Sequence, residues 1–228
     1  MIPLTRILLG LLVAAPMLSS ALAAQAAAPV AIATDSGTFI IRRAADTVAT
    51  ERFTRTATTL HGTLALRNAK STSEAYEAVV APDASVPLIQ VTVREGMDSG
   101  RVKGKVVQRA RVIFKEDSAA VDDITGTGMQ TRVFGTERGA VPYLNLSFAL
   151  LEQAVRRARA AAPQATRVPF FNLGGGQTVD AKVSSLGADS LAVGIGTVEF
   201  HLRVDREGRV LGGSIPAQQL VAERIGGT

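Results

Sequence analysis

From position 36 onward, apolar and polar residues change places at every second position, in short runs broken by turn-forming residues. The clearest run is 104–116. Val106, Ala110, Val112 and Phe114 share one parity, with Gln108 the single interruption, and Lys105, Arg109, Arg111 and Lys115 share the other. A period of two with one dry and one wet face specifies a half-buried strand. Runs of the same kind occupy 37–41, 47–55, 60–67, 74–81 and 86–95, with a weaker one at 129–134. Ala44-Ala45-Asp46 and Pro82-Asp83-Ala84-Ser85 punctuate them as turns. The second half repeats the pattern over 177–185, 191–195 and 198–204. In the last of these Val198, Phe200, Leu202 and Val204 oppose Glu199, His201, Arg203 and Asp205. The gaps are too short for helical crossovers, so the strands are expected to meander antiparallel.

One segment changes period. Leu144, Phe148, Leu151, Val155, Ala158 and Ala162 form a stripe at helical spacing. Asn145 or Ser147 is placed to cap it and Pro163 to end it, which predicts a helix at about 145–162. Glu152, Gln153, Arg156, Arg157 and Arg159 fill its other face, expected to be wet. A short second helix is expected at 217–224, with Leu220 and Val221 inward. About ten strands, one firm helix and no βαβ rhythm define a mainly β fold. We expect a strongly curved antiparallel sheet, a half-open barrel or clam, with one covering α-helix; a closed β-barrel is the alternative, since both manage exposed edges.

The N-terminus adds an address. Arg6 is the only charged side chain before position 35; an apolar run at 7–15 and the small residues Ala21-Leu22-Ala23-Ala24 follow it. These are the three parts of a cleavable export signal, and the apolar run is shorter than the ~20 residues needed to span a bilayer. The organisation expected is a signal peptide at 1–24, a flexible segment at 25–36 and a single β domain at 37–228. With no cysteine there is no disulfide scaffold and no lipid-bearing cysteine, so the product is expected in the periplasm or secreted, without a transmembrane anchor. Losing Arg6 lowers the net charge from +5 to +4, spread thinly over a chain with 4% aromatics and no tryptophan. That composition argues against nucleic-acid binding, which interleaves basic patches with aromatics.

Chemistry is sparse. His61 and His201 lack a second histidine at metal-ligand spacing, so no metal site and no cofactor are expected. Gly174-Gly175-Gly176 runs into the strand pattern Gln177-Thr178-Val179 and reads as a flexible hairpin or a bulge rather than a phosphate loop. There is no Gly-x-Ser-x-Gly elbow, and Ser214 can use His201 only if the fold brings them together. Glu51 stands apart. Its parity is that of Ala49 and Phe53, so it either points inward, where burial would raise its pKa, or pairs with an arginine of a neighbouring strand at the sheet rim. No catalytic residue is assigned. The ligand-pocket expectation rests on Phe148, Leu151, Phe200, Phe114 and Glu51, between the helix and the sheet.

The runs Gly37-x-Phe39-x-Ile41 and Val48-x-x-Glu51-x-Phe53 resemble the opening hairpin of a loose group of exported, uncharacterised bacterial β proteins, and Asp205-x-x-Gly208-Arg209-Val210 fits the same picture. Their layout is similar to the clam-like fold of periplasmic lipoprotein carriers and lipid-binding proteins. The resemblance implies a half-open sheet with a covering helix and no defined set of site residues. It leans toward non-enzymatic binding or carriage of an apolar, lipid-like ligand. A hydrolase with an unrecognised site and a structural or assembly module of the cell envelope are the alternatives. N-terminal sequencing of exported material is expected to find a first residue between Ala24 and Ala27; a retained Met1 contradicts the export signal.

Overall fold

The chain enters its sheet at the middle and leaves it there. The structure, a computed structural model, describes residues 34–96, 104–161 and 167–227, all within the unit Ile32–Thr228. The expected signal peptide and most of the segment after it fall outside the described residues. Eight strands come first: β1 (Asp35–Arg43), β2 (Asp46–Arg55), β3 (Thr59–Leu66), β4 (Ser73–Val79), β5 (Leu88–Glu95), β6 (Lys105–Phe114), β7 (Ser118–Thr125) and β8 (Gly128–Gly135). Then come β9 (Val141–Tyr143), the helix α1 (Phe148–Ala161) and β10 (Arg167–Asn172). The return path is β11 (Thr178–Gly187), β12 (Ser190–Ile195), β13 (Val198–Val204), β14 (Val210–Ile215) and β15 (Leu220–Ile225).

Among the described residues all fifteen strands belong to one sheet, ordered β8-β7-β6-β5-β4-β3-β2-β1-β15-β14-β13-β12-β11-β10-β9. β1 pairs with both β2 and β15, so two wings spread from the strands nearest the two ends of the unit, antiparallel throughout except for the last pair, β10–β9. The sheet cannot be flat. At about 4.8 Å per strand its edges would lie some 65 Å apart, yet only residues 136–140 join edge strand β8 to edge strand β9. Five linking residues reach roughly 20 Å. The sheet therefore curls until its edges approach, but no backbone ladder joins β8 to β9, so it is a half-open barrel rather than a closed one.

Side chains close the seam at one end. Thr178 Oγ1 donates to Thr136 Oγ1 at 2.7 Å, and the ring of Phe171 meets those of Phe134 and Phe114 edge-on at 6.0 and 5.4 Å. Gly176, at φ +72°, makes this possible: a Cβ there would lie 2.4 Å from the Phe134 ring. The triple glycine is the hairpin between β10 and β11.

The helix lies within the curl and touches strands of both wings, β2 on one side and β9, β10 and β14 on the other. Ser147 caps it, its Oγ accepting from Leu150 N at 3.2 Å. Phe148, Leu151, Val155 and Ala158 are buried as the stripe requires. Phe148 packs on Phe39 and Phe200, with ring centroids 5.5 and 6.4 Å apart.

Three expectations change. The first turns of the helix have no wet face, since Glu152 and Gln153 are fully buried. β9, α1 and β10 form one parallel crossover, the βαβ unit that the pattern did not suggest. Finally, 217–224 is not a helix. Pro216 starts a single 3₁₀ turn that Gln219 ends at φ +56°, and Leu220-Val221-Ala222-Glu223 then alternates as β15, with Leu220 buried and Val221 exposed on opposite faces.

With Leu151 at 1% exposure in the core, Leu151→Ala is expected to cost about 2–5 kcal/mol in denaturant unfolding. An unchanged midpoint contradicts this packing.

Candidate functional site

Polar side chains inside the curl gather around two carboxylates. Glu51 on β2 shares the inward parity of Ala49 and Phe53 and is fully buried. Tyr76 on β4 donates its hydroxyl to Glu51 Oε1 at 2.7 Å, and Ser147 donates to the same oxygen at 2.5 Å. Ala149 N, one of the free amides of the helix start, donates to Oε2 at 3.0 Å. Tyr76 reaches across because its cross-strand partner is Gly62, where a Cβ would collide with the ring at 2.2 Å.

The second carboxylate is Glu152, one turn into the helix. Its oxygens accept from Arg55 Nη1 of β2 at 2.6 Å, Arg156 Nε at 3.0 Å, Val210 N of β14 at 2.8 Å and Arg224 Nη1 of β15 at 3.4 Å. Arg55 also donates to Ala149 O at 2.8 Å. Arg224 pairs with Asp35 and lies over the Phe53 ring at 4.8 Å. Removing one partner of a buried, hydrogen-bonded pair leaves an uncompensated charge and typically costs about 3–5 kcal/mol. The cluster holds the helix in place, and its carboxylates Glu51 and Glu152 and the Arg55 guanidinium are buried away from solvent.

Burial raises the pKa of Glu51 above the usual carboxylate range, against the lowering effect of its bonds to Ser147, Tyr76 and the helix amides. The Tyr76 phenol is pushed well up, first by burial and then by Glu51.

The fold places His201 on β13 directly opposite Ser214 on β14, on the outer face of the sheet. The imidazole spends its described bond elsewhere, Nε2 lying 2.6 Å from Glu199 Oε1. His61 lies far off in the strand order, on β3 opposite Glu77. No relay from serine through histidine is assembled. Among the described residues no group of three histidines, aspartates or glutamates is placed to hold a metal ion.

Of the five residues expected to line a pocket, Phe148, Leu151, Phe200 and Glu51 are buried beneath or within the helix start. Phe114 lies apart at the seam, half-buried against Phe171. There it lines a cleft of about 270 Å³ with Val86, Pro87 and Ala140, rimmed by Lys115, Glu116 and Arg138. A cleft of about 350 Å³ near the end of β15 is lined by Asp35, Arg203, Arg209 and Arg224. A third, of about 440 Å³, spans the outer face at His201 and Ser214.

No family model matches the chain, and no curated protein does. Its fold is similar to that of a DUF1089 family protein from Pseudomonas aeruginosa, at 14% identity and a TM-score of 0.53, over 75% of this chain and 91% of that one. It is also similar to a β-barrel-like protein of the domain of unknown function DUF1849 from Brucella abortus, at 9% identity and a TM-score of 0.50, over 86% of this chain and 97% of that one. The chain thus shares its layout with β-rich, barrel-like proteins whose functions are unknown, and the likeness is one of fold.

The Glu51 geometry sets a pH dependence. A carboxyl whose pKa is raised by folding stabilises the fold fully below its unfolded value of 4.5, and this contribution is lost as pH rises through the folded value. Denaturant midpoints of the wild type relative to Glu51→Gln are expected to fall as pH rises from about 4.5. A difference that is flat or that grows with pH contradicts the assignment.

Proposed function

We propose that the protein is an exported, non-enzymatic binding protein for a small amphiphile, whose apolar part enters the seam cleft beside Phe114. The observation that carries this reading is the position of the cleft: an apolar-walled opening between the adjoining ends of β5 and β6 and residues 138–140 of the link that bridges the sheet's unladdered edges. Ligands favour such mouths of half-closed β structures. At about 270 Å³ the cleft suits a single ring system or a short chain rather than a full lipid tail. The rim supplies one cation beyond balance, since Arg138 pairs with Glu116 and Lys115 has no opposing acid in the cleft lining. An anionic head group fits that imbalance. Phe148, Leu151, Phe200 and Glu51 serve in this reading as the rigid framework behind the cleft. The resemblance of the sequence's layout to clam-like lipid-binding folds points the same way, and the export signal expected at 1–24 is the ground for the address.

Anilinonaphthalene sulfonate, two apolar ring units with an anionic head, is a direct probe. Its fluorescence titration is expected to saturate at one site. Phe114→Ala is expected to weaken binding about tenfold, and Lys115→Glu, on an exposed residue, several-fold. Equal binding by all three proteins, with melting curves showing them folded, overturns the assignment to this cleft.

A further inference from the structure

The two edges of the sheet are treated differently. β9 is three residues long, contains Pro142 and is mostly buried, which are the usual protections of an edge. β8 is eight residues long, exposed at every position but Phe134, and carries one charge, Arg132, with no proline, lysine or acid. Its outer-face residues Met129 and Val133 are 68% and 71% exposed. They end an apolar band on the outside of the sheet, where cross-strand register aligns Val79, Leu88, Ile113, Ala120 and Val133 in one row. Ile124 and Met129 form a second, shorter row.

The backbone of β8 is equally open. A two-residue turn joins β7 to β8, with Thr125 opposite Gly128. The pair flanking such a turn is hydrogen-bonded, so by alternation Met129, Thr131 and Val133 direct their N–H and C=O groups to the free edge. The open stretch stops at Gly135, whose carbonyl accepts from Thr178 Oγ1 at 3.5 Å.

We propose that β8 pairs with β8 of a second copy of the chain, antiparallel, about a twofold axis through Thr131. Strands that pair with matching faces need opposed positions of like parity. Centred on Thr131, the register sets Met129 against Val133 twice and Gln130 against Arg132 twice, and it uses the strand from Gly128 to Phe134, leaving out the capped Gly135. It joins the apolar row ending at Val133 to the partner's row that starts at Met129. Centring on Arg132 would oppose two arginines; centring on Gln130 would run Val133 into the turn. The strand is self-complementary in one register, as an isologous interface requires.

The chain has no cysteine, so single cysteines report the register directly. Opposed hydrogen-bonded residues stand about 5.5 Å apart at Cα, within the roughly 4.4–6.8 Å that a disulfide spans. Wild-type protein is expected to sediment as a dimer at micromolar concentration. Thr131→Cys is expected to oxidise to a covalent dimer, and Gln90→Cys, exposed on the outer face of β5, is expected to stay monomeric. The double variant Met129→Lys, Val133→Lys would oppose lysines across the axis and is expected to dissociate at least tenfold more readily with an unchanged melting curve. Self-pairing is overturned by a monomeric wild type, by a dimer that the double variant leaves intact, or by Thr131→Cys cross-linking no faster than Gln90→Cys. A monomer that takes up a strand of a different protein at β8 also overturns it.

Discussion

The fold turns on Glu152. A carboxylate with no exposure is costly unless its oxygens are matched by donors, and here the donors come from β2, β14, β15 and its own helix. β2 lies on one wing of the sheet and β14 and β15 on the other. The pairing therefore fixes where the helix sits and holds the two wings around it. Glu51 does the same for the first turn, replacing water at the helix amides and drawing Tyr76 and Ser147 to one point. Lifting the helix would strand Arg55, Glu152 and Glu51 together. The helix is thus a fixed inner wall, and a ligand is better accommodated at the seam than beneath it.

The second constraint is the link between the sheet's edges. Five residues between β8 and β9 oblige the sheet to curl, and the curl decides which surfaces remain. At one end Phe134, Phe171 and Gly176 fill the seam, with Thr136 and Thr178 bonded across it. Beside them the cleft at Phe114 stays open, and the rest of β8 faces solvent. The same geometry that denies the sheet a closing ladder leaves the cleft at Phe114 beside the link and the bare edge of β8, and both functional readings arise from this incomplete closure.

Where the chain alternates cleanly, as in β6 and β13, sequence and structure agree to within a residue or two, because burial on one face imposes the period. β7 is harder to read: its inward residues Ala119 and Val121 are small, and Asp122 and Asp123 break the polar parity. Pro142 and Pro169 hide β9 and β10, and Pro216 gives β15 a false helix start. Glu51 could be singled out from parity alone. Glu152 could not, since beside Gln153, Arg156 and Arg157 it reads as one charge on a solvated face. Its partners Arg55 and Arg224 lie 97 and 72 residues away in the chain. A buried polar cluster of this kind is a property of the curled sheet wrapped around the helix, not of any local pattern.

That the helix is a fixed wall can be tested by native-state hydrogen exchange at the two amides held by the buried carboxylates, Ala149 and Val210. If the helix is locked, both exchange only through global unfolding, with the same opening free energy as Ile41 and Phe200 in the core strands. If they open at a much lower free energy while Ile41 and Phe200 stay protected, the helix is a lid and the account fails.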